Sequence, residues 1–119
     1  MTIYRWPAAK VWLIIADSRL EREQVLDKHF DGQIICVKAL IDSLLDSIKR
    51  GEPLSQWRES FVSSPLIALT EIQLAEGKQA TAEELCEILW ARYRQNKTSV
   101  LTADFLPDFL ERTFGSPDL

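Results

Sequence analysis

Residues 65–81 read PLIALTEIQLAEGKQAT, and their order sets the fold. Leu66-Ile67-Ala68-Leu69 is an apolar run of the length a fully buried strand needs. Thr70 and Glu71 place polar side chains at the end of that strand. A short connection containing Gly77 leads to Thr81-Ala82-Glu83-Glu84, which reads as a helix start. Strand, polar tip, loop and helix together form the unit of an open α/β sheet, where ligands bind at the carboxyl ends of the strands.

The same residues carry a resemblance. Ile72-Gln73, Gly77-Lys78, Ala80-Thr81 and Glu83-Glu84 stand at the spacings of the Walker B region of DnaA. DnaA is the bacterial replication initiator, an AAA+ ATPase. The stretch resembles that family except at the tip of the strand, where the family has two Asp and this chain has Thr70 and Glu71. The resemblance implies that the first acidic position helps hold Mg²⁺ and the second positions the attacking water. Thr70 offers no carboxylate to a hard cation. Glu71 keeps one and is the residual catalytic candidate.

Upstream, Val11 to Ile15 (VWLII) reads as a buried parallel strand. In an AAA+ protein the phosphate-binding loop, GxxGxGK[ST], follows this strand. Laid on residues 16–23, its glycines fall on Ala16, Arg19 and Glu21, its Lys on Arg22 and its Ser/Thr on Glu23. Glycines let a P-loop wrap phosphates and aim backbone N–H groups at them. Here Ser18 and Glu21 instead have the spacing of a capping box, which satisfies the helix start internally. Asp17, Glu21 and Glu23 set negative charge where a polyphosphate would sit. A plain capped helix is expected, with ATP binding lost. Ser18, Arg19, Arg22, Thr70, Glu71 and, further on, Asp104 are the positions of a degenerate nucleotide site.

Before this strand, residues 1–10 read as a lead-in, with Trp6 packing on the edge of the domain. After the first helix, Asp31-Gly32 is a turn and Gln33 to Val37 a second strand. Lys38 to Arg50 is amphipathic, with Leu40, Ile41, Leu44, Leu45 and Ile48 on one stripe. The resemblance places single-stranded DNA binding in this region, so Lys38, Lys49 and Arg50 are nucleic-acid candidates. Asp42 and Asp46 offset them, and a core helix with a solvated face is the preferred reading. Trp57 and Phe61, four residues apart, both point inward from a short helix.

Thr81 to Asn96 reads as a helix opened by a second capping box, Thr81 with Glu84. Leu85, Leu89 and Tyr93 form its apolar stripe, with Cys86 and Trp90 beside it. Arg92, Arg94 and Lys97 suit the negative end of the helix dipole. Thr98 to Thr102 is a fourth strand, and Asp104 matches the sensor 1 position of the family. Phe105, Leu106, Phe109, Leu110 and Phe114 crowd the last residues. There the family continues to a fifth strand and a helical lid, which this chain is expected to lack.

The 119 residues are 46% hydrophobic and 27% charged, which suits a single globular domain over residues 1–119. A net charge of −4 argues against broad, nonspecific nucleic-acid binding. Cys36 and Cys86 lie in apolar contexts as free thiols, and His29 is the sole histidine, so no metal site is expected. No apolar run reaches the ~18 residues of a membrane span, and no signal-peptide pattern opens the chain. A cytoplasmic location follows as the default.

The fold expected from the resemblance is α/β: a three-layer, P-loop-NTPase-like (AAA+-like) parallel sheet of about four strands in the order 1-4-3-2. Helices cover both faces. Without a fifth strand the first strand lies at a sheet edge, to be covered by the N-terminal residues, by the Phe-rich tail or by a second copy. The function expected is a non-catalytic, DnaA-like protein-binding module, without cofactor, whose partner is DnaA or a second copy of itself. Trp6, Trp90, Phe105 and Phe109 are its candidate interface anchors. One alternative is a divergent ATP-binding protein or ATPase using Glu71, Asp104 and Arg22. Another is a single-stranded nucleic-acid-binding protein.

Overall fold

The computed structural model describes residues 1–119. Its strands are β1 (Thr2–Trp6), β2 (Val11–Ile15), β3 (Gln33–Cys36), β4 (Ile67–Thr70) and β5 (Ser99–Ala103). Its helices are α1 (Arg19–His29), α2 (Val37–Lys49), α3 (Leu54–Val62), α4 (Gln79–Arg94) and α5 (Asp108–Phe114). One sheet contains all five strands, in the order β1-β2-β5-β4-β3. The strands from β2 to β3 are parallel, and β1 is antiparallel to β2.

The sheet therefore has five strands and not four. The N-terminal lead-in is the extra one. Trp6 pairs with Val11 in the β1–β2 register, and the chain turns through Pro7–Ala9 between the two strands. Trp6 is not an edge residue either. It is 3% exposed, and its Nε1 donates to the Gly115 carbonyl at 2.8 Å. The tail adds a further bridge, with Arg5 and Asp118 exchanging two backbone hydrogen bonds of 2.7 Å. Residues 2–6 thus cover the edge of β2.

Alternation along the strands divides the sheet into unequal halves. Val11, Leu13, Ile67, Leu69, Leu101 and Ala103 point to one face and join the main core with α2, α3, α4 and α5. Ile14, Ala68 and Thr102 point to the other face, which α1 covers with Leu26 and Arg22. Right-handed crossovers require this division, because β2→α1→β3 runs one way across the sheet and the later connections run back. At the entry to β3, Gly32 passes close to β4: a Cβ there would sit 2.7 Å from the Leu66 carbonyl oxygen. No larger residue fits that approach without a shift.

The helices depart from expectation in three places. α4 begins at Gln79 behind Lys78, with no side-chain cap, so Thr81 lies inside the helix and forms no capping box. Gly77, at φ +80°, makes the turn, and Lys78 already bonds back to Ala75. On α2 the buried side is Val37, Leu40 and Ser47, while Leu45 and Ile48 are 52% and 55% exposed. The apolar stripe is wider than the face the core can cover. In α5, Phe109 and Leu110 are buried, and Phe114 packs on Trp90 and Trp6 with ring centroids 4.9 and 6.4 Å away. Trp57 and Phe61 do point inward, in edge contact at 5.0 Å.

Candidate functional site

The parallel register brings the ends of β2, β4 and β5 to one side of the sheet. Ile15 lies level with Ala103 and Leu69 with Leu101. The next residues, Ala16, Thr70-Glu71 and Asp104, therefore meet at the carboxyl edge, where a doubly wound sheet binds ligands.

α1 starts there. The Ser18 hydroxyl accepts the Glu21 backbone N–H at 3.0 Å, so one free N–H of the helix start is satisfied within the chain. Helix begins at Arg19, three residues earlier than Arg22. Positions 19–21, which a P-loop would use to wrap a phosphate, are the first helical turn here.

Arg22 is 5% exposed and turns inward under the sheet edge. Its Nη2 donates to Glu71 Oε2 at 2.8 Å and to Oε1 at 3.1 Å, its Nε donates to Oε1 at 3.2 Å, and its Nη1 donates to the Ala16 carbonyl at 2.5 Å. Glu71 is 6% exposed and accepts a further bond, from Gln73 Nε2 at 2.5 Å. Arg19 Nε stands 3.9 Å from Glu71 Oε1, although its closer partner is Glu23 at 2.9 Å. Glu71 adopts a left-handed backbone, φ 59°, ψ 43°, which few residues other than glycine adopt without strain. Its N–H, at 3.4 Å from Thr102 Oγ1, helps hold that turn.

Electrostatics decides what this carboxyl can do. Burial pushes the Glu71 carboxyl up. The bonds from Arg22 and Gln73, with the charges of Arg22 and Arg19, outweigh burial and hold it below the usual carboxylate range. A carboxylate so held is a weak base with its oxygens already occupied.

The other sequence candidates are dispersed. Thr70 is half-buried at the end of β4, and Asp104 is exposed after β5. Lys38 and Lys49 lie at opposite ends of α2, about 16 Å apart along its axis. Arg50 pairs with Asp46 at 3.1 Å and Glu52 at 3.4 Å. Arg58 forms two bonds to Glu84, at 2.8 and 2.9 Å. Of the candidate anchors, Trp6 and Phe109 belong to the core, Trp90 is half-buried, and Phe105 is 46% exposed. Trp90, Arg112, Glu83 and Glu87 line a cleft of ≈ 600 Å³ between α4 and α5. No group of three or more His, Cys, Asp or Glu side chains is placed to hold a metal ion. No helix is long and apolar enough to cross a membrane.

Arg92 was legible only as a late-helix cation, and the structure corrects that. It is 0% exposed, with Nε on Ser99 Oγ and its Nη groups on the carbonyls of Phe61, Ser64 and Thr98. Lys97 Nζ takes the neighbouring carbonyls of Val62 and Ser63. Two cations thus close the carboxyl end of α3, which is the negative end of its dipole. Burial lowers the Arg92 pKa to about 10, so it is charged at neutral pH. A signal existed in the sequence: Leu85, Leu89 and Arg92 share one face at helical spacing.

No protein-family model matches the chain, and no curated protein matches it. Solved structures do. The chain is similar to the replication initiator DnaA bound to AMPPCP and single-stranded DNA, with 17% identity, a TM-score of 0.67, and coverage of 93% of this chain and 40% of that one. It is similar to AMPPCP-bound DnaA from Aquifex aeolicus, with 20% identity, a TM-score of 0.66, and coverage of 78% and 32%. It is also similar to domain III of DnaA from Thermotoga maritima, with 20% identity, a TM-score of 0.58, and coverage of 80% and 44%. The chain spans less than half the length of each of these structures. Its fold is the α/β fold of the AAA+ domain of DnaA.

Proposed function

We propose that this chain is a DnaA-like protein-binding module that has lost ATP binding and ATP hydrolysis and acts on replication initiation. The observation that carries this is the buried pair of Arg22 with Glu71. These two residues stand where the resemblance puts the phosphate-binding Lys and the water-positioning acid. Each satisfies the other, and Arg22 spends its remaining contact on Ala16. The first helical turn, begun at Arg19 and capped by Ser18, fills the place of the phosphate loop. Thr70 gives a magnesium ion no carboxylate. The residues present do not fit a magnesium nucleotide.

Two of the similar DnaA structures carry AMPPCP, and one of those two also carries single-stranded DNA. For this chain the dispersal of Lys38 and Lys49, and the neutralisation of Arg50 and Arg58 by Glu and Asp partners, favour a protein partner over nucleic acid. The preferred partners are the AAA+ domain of DnaA and a second copy of this chain. Titration of the purified chain into a DnaA AAA+ domain by calorimetry tests the role. A saturable complex that forms without added nucleotide is the expected result. Magnesium-dependent ATP turnover by the chain alone would contradict it.

A further inference from the structure

Helix α2 presents a second apolar side that nothing in the chain covers. Ile41, Leu45 and Ile48 stand at i, i+4 and i+7 and form one ridge. Leu45 and Ile48 are more than half exposed, and Ile41 is half-buried at the border of the core. Single exposed apolar residues are ordinary, but an ordered ridge on one helix marks a contact surface.

The charges beside the ridge point to what covers it. Lys38, Asp42 and Lys49 all lie within about 60° of Leu45 around the helix axis, at ~100° per residue. Their signs run plus, minus, plus. None of the three takes part in an ion pair within the chain, whose ion pairs involve Arg19, Arg22, Arg50 and Arg58 on the cationic side. A two-fold axis through the ridge near Leu45 sets a second α2 antiparallel to the first. It keeps the charged flank of both copies on the same side and reverses its order along the axis. Leu45 then meets Leu45 of the other copy, and Ile41 falls within one residue of Ile48. Asp42 of each copy comes within one residue of Lys49 of the other. Unpaired charges of one copy thereby meet opposite charges of the other, as an isologous interface requires.

We propose that α2 is the homodimerisation surface of this chain, an antiparallel helix pair centred on Leu45. The inference deepens the binding-module reading by naming partner and surface. It stands on the geometry of α2, and its test contains no nucleotide. Nucleotide binding would overturn the module and leave the dimer. A monomeric chain would overturn the dimer and leave binding to DnaA.

One helix pair buries less than the ~1,200 Å² of a standard interface, so association falls at the weak end, near micromolar or above. Sedimentation equilibrium of the full chain from about 1 μM to about 1 mM covers that range. The wild-type chain should pass from monomer to dimer. Leu45→Asp should weaken association by about tenfold or more. Asp42→Lys and Lys49→Asp should each weaken it, and the double variant should recover it, because the reversed pair meets across the axis. All three positions are exposed, so unchanged melting temperatures separate these effects from misfolding. A wild-type chain that stays monomeric throughout overturns the proposal. So does a dimer indifferent to Leu45→Asp, or a double variant that fails to recover. Salt-sensitive binding of a labelled single-stranded oligonucleotide by a monomeric chain, lost in Lys38→Glu/Lys49→Glu, would reassign the ridge to nucleic acid.

Discussion

Arg22 and Glu71 lie 49 positions apart and share three hydrogen bonds in the interior. Breaking a buried pair from one side leaves a charge without compensation. Glu71→Gln should therefore cost about 3–5 kcal/mol in chemical denaturation. Replacing both partners with apolar residues, as in Arg22→Met/Glu71→Leu, should cost less than either single change. The pair also gives acid sensitivity of a definite sign. The folded pKa of Glu71 is lowered, so its contribution is complete above the unfolded carboxylate value near ~4.3 and is lost as pH falls through the lower folded value. A stability–pH profile of the wild-type chain should fall more steeply in that window than the Glu71→Gln profile. Arg92 gives a second test. Arg92→Ala strips partners from the carbonyls of Phe61, Ser64 and Thr98 and should cost about 3 kcal/mol or more, with Arg92→Lys recovering part of it. At this scale the sequence revealed substitutions but not partners. Thr70, Glu71 and Arg22 were visible as departures from a motif. That Arg22 would reach Glu71 depended on β2 and β4 flanking β5, which no local spacing encodes.

Elements with one sided periodicity were easier to read than elements defined by a neighbour. The runs VWLII and IALT give the buried strands β2 and β4, and Ser18 caps α1 with the bond its type suggests. β1 was missed because TIYRW carries Thr, Tyr and Arg and gains its strand character from pairing with β2. The second capping box failed because Gly77 turns the chain early and Glu84 bonds to Arg58 instead. α2 was read with one apolar stripe, and the structure divides that stripe between core and solvent. A prediction belongs to β1. Deleting residues 1–6 removes the buried Trp6 and bares the β2 edge. Loss of a buried Trp alone costs about 3–5 kcal/mol, and a bare edge templates pairing between chains. Light scattering should show aggregation of the deleted chain at concentrations where the intact chain stays clear.

Across the whole molecule, one sheet supports a large core on one face and a smaller one under α1 on the other. That arrangement sets the carboxyl ends of β2, β4 and β5 side by side, where a doubly wound sheet binds ligands. In this chain the same place is closed by side chains of the chain itself. On the function proposed here, Arg22, Glu71 and the capped start of α1 have replaced nucleotide as the occupants of this edge. A thermal-shift titration with ATP and ADP, with and without Mg²⁺, beside a DnaA AAA+ control, tests it most directly. A ligand binding only the native state stabilises it by about 2.7 kcal/mol at 100 times its dissociation constant. A shift is expected for the control and none for this chain at millimolar nucleotide. A Mg²⁺-dependent rise in its melting temperature would show that the edge still takes nucleotide, and Arg22, Glu71 and Asp104 would then be the residues to substitute.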